Sequence, residues 1–229
     1  MTTGVLFIHG FTGGTYEVEP FANYVASKTN WVIELPTLQG HGATLDLKKA
    51  SAQNWLMDAE LAYRKLEKEV DEIIVVGFSM GGLIAMYLAL RYRVKKLVLL
   101  SAAAKYISPK VLLDDVRILL TESITKQHTS KTFYNLYNYK LTHTPILSTL
   151  EFLKIVKTIE PYYTYIDCPT CIVQGERDGI VPFTTAELLH SRLGSSDKII
   201  LTSPTGKHHI CYSDDCEEWF EQALKFMEK

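Results

Sequence analysis

The stretch Ile73-Ile74-Val75-Val76-Gly77-Phe78-Ser79-Met80-Gly81-Gly82-Leu83 decides the architecture. A short, nearly continuous β-branched run reads as a strand covered on both faces. It passes without a spacer into Met80–Tyr92, apolar nearly all round, which reads as a helix buried against a sheet. Gly77-Phe78-Ser79-Met80-Gly81 is therefore a G-x-S-x-G pattern in strand–turn–helix context, a nucleophile elbow. Such a turn holds its central serine in a sparsely allowed conformation. Side chains two places to either side would collide with neighbouring backbone, which calls for Gly77 and Gly81. Ser79 then projects its hydroxyl from the sheet edge. The Met80 amide stands at a helix N-terminus, where backbone donors and the dipole favour negative charge.

Outward from this stretch, short apolar runs alternate with longer amphipathic ones, the pattern of βαβ units and a mostly parallel sheet. Strands are expected at Gly4–His9, Trp31–Leu35, Ile73–Phe78, Lys96–Ser101, Thr170–Gln174 and Lys198–Thr202. Helices are expected at Tyr16–Lys28, Ala52–Lys68, Met80–Tyr92, Phe183–Leu193 and Asp214–Met227. Between Ser101 and Thr170 no strand is evident, only helical patterns at Pro109–Glu122, Ser130–Lys140 and Pro145–Thr158. A structureless loop of that length would be unusual. The segment reads as a helical cap inserted at about 104–167, or alternatively as a second packing layer with no part in binding. The whole, 1–229, then forms one α/β domain.

The composition narrows the function. With 229 residues, 47% hydrophobic and 22% charged, the chain is an ordinary globular sequence, neither disordered nor fibrous. A formal net charge of -2 offers no positive field for nucleic acid or anionic lipid. No run approaches ~20 apolar residues, so no membrane insertion is expected. The apolar run Val5–Ile8 lacks a basic leader and is too short for an export signal, which points to the cytoplasm. Cys168, Cys171, Cys211 and Cys216 should then be reduced. Cys168-Pro169-Thr170-Cys171 is a C-x-x-C, but it runs into a strand rather than heading a helix. Buried free thiols are the reading, with no metal and no cofactor.

A serine hydroxyl needs a base. Of seven histidines, His128, His143 and His190 sit in polar helical contexts, and His9 and His41 in glycine-rich loops before Ser79. His208 and His209 follow the last strand, whose carboxyl end should share the sheet edge with Ser79. An acid must hold the base's tautomer. Asp178, in Gly175-Glu176-Arg177-Asp178-Gly179-Ile180, follows the preceding strand at the same edge, and Glu176 reads as a loop charge. The order is Ser79, Asp178, then His208 or His209. An oxyanion hole needs two N–H donors. Met80 supplies one; the loop His9-Gly10-Phe11-Thr12-Gly13-Gly14 offers Phe11 for the other. That loop lacks the G-x-G-x-x-G of a dinucleotide site.

Together, His9-Gly10-Phe11, Gly40-His41-Gly42, Gly77–Gly82, the Gly175–Pro182 loop and a late histidine resemble the α/β-hydrolase superfamily. More narrowly, they are similar to small bacterial carboxylesterases related to monoacylglycerol lipases. The resemblance covers nearly the whole chain and is weakest across 104–167. It implies an α/β-hydrolase fold with a small helical cap. It also implies a triad of Ser79, Asp178 and His208, with the amides of Phe11 and Met80 as oxyanion donors and no catalytic role for His41. Gly206-Lys207-His208 replaces the family's usual Ser-Gly-His, and the doubled histidine leaves His209 as an alternative base. Ile210 favours His208, because it keeps the family's apolar residue two places on. The chain starts at the strand bearing His9, so a sheet lacking two N-terminal strands of larger relatives is expected.

The activity expected is hydrolysis of short- to medium-chain acyl esters or monoacylglycerols through an acyl-enzyme. The partner is a small-molecule ester and the protein a monomer or homodimer. The same residues would serve a thioesterase, amidase or acyltransferase, and a non-catalytic binding protein on this scaffold is the remaining alternative. Aspartate in place of Ser79 would have suggested a haloalkane dehalogenase. Because the base must be neutral, activity should decline on acidification through about pH 6–7.

Overall fold

The computed structural model describes residues 1–104 and 146–229. Among them six strands form one sheet in the order β2-β1-β3-β4-β5-β6. These are β1 (Thr3–Ile8), β2 (Val32–Glu34), β3 (Glu72–Phe78), β4 (Lys96–Leu100), β5 (Thr170–Gly175) and β6 (Lys198–Ser203). Every pairing is parallel, including Val5 with Ile74, Val76 with Val98 and Ile172 with Ile200. All carboxyl ends therefore share one edge. The chain runs outward from β1 to β2, then returns to place β3 on the other side of β1. This reversal opens a crevice above β1 and β3, the usual position of ligand sites in open parallel sheets.

Helices cover both faces. On one lie α2 (Ala52–Leu66), α3 (Met80–Arg91), α4 (Ile146–Ile159) and α5 (Thr184–Arg192); their apolar residues join Leu6, Ile8, Val75 and Leu99 in one cluster. On the other lie α1 (Glu19–Lys28) and α6 (Cys216–Glu228), whose Phe21, Val25, Trp219 and Met227 close over Val5, Phe7, Ile74 and Val76. Successive strand residues thus feed opposite cores, which explains the unbroken β-branched run at 73–76. Each fully buried phenylalanine or leucine stabilises the fold by about 1.5–3 kcal/mol relative to exposure.

The expected strands match to within a residue at most ends, and α3 is buried as its composition requires. The first helix differs. Instead of a continuous helix from Tyr16, a 3-10 turn at Thr15–Glu17 precedes α1, which starts at Glu19. Pro20 is the reason: without an N–H it suits the first turn of a helix and not its interior. The expected cap at 104–167 falls mostly on residues outside those described, as do its helical patterns at Pro109–Glu122 and Ser130–Lys140. Its last part is α4, which buries Phe152, Ile155, Val156 and Ile159 in the first core cluster. Ser148 Oγ donates to the Leu47 carbonyl at 3.2 Å, and Glu151 Oε2 accepts from the Ala52 amide at 3.1 Å. This carboxylate meets the N-terminus of α2, where the helix dipole favours it.

Candidate active site

The elbow is built as its glycines require. Ser79 sits at φ 52° and ψ −114°, in the left-handed half of the map, between β3 and α3. A Cβ on Gly77 would fall 2.2 Å from the Gly81 carbonyl oxygen, and one on Gly81 would fall 2.2 Å from that of Ile8. The strained residue is held by its neighbours. The Ser79 amide donates to Leu100 O at 2.9 Å, and its carbonyl accepts from Gly82 at 3.0 Å and Ala103 at 3.2 Å.

Two side chains from later loops meet it. His208 Nε2 lies 3.0 Å from Ser79 Oγ, and His208 Nδ1 lies 3.0 Å from Asp178 Oδ2. The carboxylate accepts the Nδ1 proton, which leaves the Nε2 lone pair facing the hydroxyl, the tautomer that can remove a proton. The Asp178 side chain is wholly buried and that of His208 is 8% exposed. Asp178 Oδ1 accepts from the Ile180 and Val181 amides, each at 2.9 Å. Burial alone would raise this carboxyl, but the His208 ring and the two amides outweigh it and hold it below the ordinary carboxylate range.

The two adjacent histidines contact different groups. His209 Nε2 lies 3.4 Å from Glu17 Oε1. Its ring packs beside Phe78. Glu176 is exposed, His190 Nε2 contacts the Lys198 carbonyl outside the cluster, and His128 and His143 lie outside the described residues.

Phe11 and Met80 occupy adjoining segments. Met80 is the first residue of α3, so its amide has no partner within the helix. The loop bearing Phe11 follows β1 and presses on the elbow, since a Cβ at Gly10 would come within 3.0 Å of the Phe78 ring. Buried His9 braces this loop: its Nε2 accepts from the Leu38 amide at 3.1 Å, and its Nδ1–H donates to Gly10 O at 2.9 Å. The Phe11 ring stacks on Phe152 at 5.6 Å and meets Trp55 edge-on at 5.8 Å and His41 at 6.1 Å. His41 is thus a wall of this aromatic cluster.

Two supporting residues escaped sequence reasoning. Gln174, 1% exposed at the end of β5, donates through Nε2 to Asp178 Oδ2 at 3.1 Å and to Val181 O at 3.0 Å. A polar amide closing the apolar run Cys171-Ile172-Val173 was the available signal, because a buried amide needs partners. The other is Glu17, a buried carboxylate inside what read as an amphipathic helix.

The cysteines belong to the cores. Cys171 and Cys211 join one cluster, while Cys168 packs against the other, so the C-x-x-C splits across the sheet. Burial raises all four thiols, Cys168 to about 11. Among the described residues no group of three or more histidine, cysteine or carboxylate side chains is placed to hold a metal. No described helix is long and apolar enough to cross a membrane.

A parallel sheet covered by helices on both faces, with a serine elbow at its carboxyl edge, defines an α/β-hydrolase. Residues 2–215 match the family described as serine aminopeptidase, S33, and the chain belongs to that family. It is a serine hydrolase resembling small bacterial esterases and lipases. It is 27% identical over 230 residues to a thermostable monoacylglycerol lipase of Bacillus sp. (strain H-257), covering 99% of this chain and 90% of that protein. It is 22% identical to a carboxylesterase of Bacillus subtilis (strain 168), covering 98% and 92%. Among solved structures, a metagenome-derived lipolytic enzyme superposes with a TM-score of 0.81 at 23% identity, over 99% of this chain and 93% of that one. A monoacylglycerol lipase of Paleococcus ferrophilus gives 0.73 at 15% identity, over 98% and 93%.

Proposed function

We propose that the protein is a serine carboxylesterase acting on short- to medium-chain acyl esters or monoacylglycerols. The observation that carries the reading is the unbroken chain from Ser79 Oγ through His208 to Asp178, two contacts of 3.0 Å. His208 Nε2 takes the hydroxyl proton as Ser79 Oγ bonds to the ester carbonyl carbon. The carbonyl π pair moves to its oxygen, and the amides of Phe11 and Met80 meet that charge. Asp178 stabilises the imidazolium. The pair returns, the C–O bond to the alcohol breaks, and His208 Nε2–H protonates the departing oxygen. Water repeats the sequence on the acyl-enzyme, releasing acid and free Ser79.

Phe11, half-buried on the oxyanion loop and backed by the buried His41, Trp55 and Phe152, supports an apolar acyl or alcohol group. So do the names of the relatives.

The test is a panel of p-nitrophenyl esters of graded chain length, with a 1-monoacylglycerol and a matched thioester and amide. Highest kcat/KM on a short or medium ester or the monoacylglycerol is expected. Amide or thioester turnover above that of the matched ester would replace the reading with a peptidase or thioesterase. No turnover of any arm, with no labelling by a fluorophosphonate, would end it.

A further inference from the structure

The buried carboxylate of Glu17 has no part in the triad, yet it lies behind the loop that carries Phe11. The Gly10 amide donates to Glu17 Oε2 at 2.9 Å. Gly13 is packed so closely on this carboxylate that a Cβ there would fall 1.8 Å from the same oxygen. Glu17 itself is 4% exposed, on the 3-10 turn that separates the loop from α1. Its other oxygen, Oε1, faces His209 Nε2 at 3.4 Å. One carboxylate therefore spans both loops of the site: the β1 loop through Gly10, and the β6 loop through the residue next to His208.

We propose that Glu17, backed by His209, is a positioning residue that sets the Phe11 amide at the oxyanion hole. This rests on the esterase reading above. The physical reason is the short lever. Gly10 and Phe11 are consecutive, so the amide bonded to Glu17 fixes the peptide plane that precedes the Phe11 N–H. The Phe11 ring is clamped from its own side by Phe152 and Trp55. With Glu17 gone, the ring clamp and the bonds from His9 Nδ1 and the Gly13 amide to Gly10 O remain, but the preceding peptide loses its anchor, and the Phe11 N–H can shift with it. A donor aimed away from the developing oxyanion loses its effect in the transition state, while substrate binding changes little. Thr12, at φ 60°, shows that this loop takes a conformation its sequence alone does not favour. The fixed carboxylate supplies a restraint for it. The same contact explains the second histidine of the pair: it serves the loop, not the proton.

The test measures kcat and KM separately on a p-nitrophenyl ester, with thermal midpoints recorded alongside. Glu17→Ala should lower kcat about 10- to 100-fold with KM within about threefold. Glu17→Gln keeps an oxygen for the Gly10 amide and should recover most of the lost kcat, which a loss of stability alone would not predict. Gly13→Ala, which displaces the carboxylate without removing it, should reproduce the kcat defect and decides the matter if Glu17→Ala does not fold. Fluorophosphonate labelling, whose transition state also builds charge on oxygen, should slow in parallel. Folded Glu17→Ala or Gly13→Ala with kcat within twofold of wild type would overturn the proposal, as would Glu17→Gln no better than Glu17→Ala. A wild-type protein that neither turns over esters nor takes the label would instead overturn the esterase reading, which keeps the two failures apart.

Discussion

Ser79 Oγ and His208 Nε2 stand 3.0 Å apart although 129 positions separate them in the chain. The contact exists because β3 and β6 end at the same sheet edge, and because the glycines around Ser79 let its turn close. His208 and His209, joined by one peptide bond, face different partners: the hydroxyl on one side, Glu17 on the other.

That divergence separates their variants. His208→Ala should reduce kcat/KM on a short-chain ester at least about 10³-fold, since base and acid are both removed. His209→Ala should cost no more than about tenfold, through the Glu17 contact. Parallel steady-state kinetics on the two purified variants check this. Equal losses, or the reverse order, would return the base to doubt.

Gln174 holds Asp178 rather than His208. Gln174→Met preserves length but leaves the Val181 carbonyl and one edge of Asp178 without the amide donor. A loss of about 1–3 kcal/mol in stability should follow from the unsatisfied buried group. A fall of roughly tenfold in kcat with KM little changed should accompany it, as Asp178 and His208 loosen. Denaturant midpoints and kinetics on the same preparation test both; unchanged kcat would reduce Gln174 to a structural residue.

Acid stability has an assigned source. Burial would raise the Asp215 carboxyl, but the Ser203 hydroxyl at 2.6 Å and the Thr205 hydroxyl at 2.7 Å outweigh it and hold it at about 2. A carboxyl depressed on folding stabilises the fold above its unfolded pKa of about 3.9, and that gain disappears as pH falls through the folded value. Asp178, also depressed, acts in the same sense. Thermal midpoints should therefore drop between about pH 4 and pH 2. Asp215→Asn, which has no proton to bind, should start lower at neutral pH and decline less steeply. A parallel curve for the variant would show that Asp215 does not carry this dependence.

Much of the fold is legible in the sequence. The β-branched runs marked the strands, and Gly77–Gly82 marked the elbow. The position of Asp178 and the histidine pair after successive strands places them at the edge that holds Ser79, because parallel strands deliver their ends to one edge. What stayed hidden depends on side-chain direction. Nothing in the letters His208-His209 says which ring turns toward Ser79. Glu17 read as one more polar position on an amphipathic helix; Pro20, which moves the helix start past it, was the clue that it belongs to a turn facing the loop. Gln174 looked like the end of a strand, and only its burial makes its hydrogen bonds obligatory.

The most direct measurement is the hydrolysis of a short-chain p-nitrophenyl ester by folded Ser79→Ala beside wild type. Turnover by the wild type and a loss of at least about 10³-fold in kcat/KM on removing one oxygen atom are expected. Activity within a few fold of wild type would contradict the reading, since no other group in the site is assigned to bond the acyl carbon.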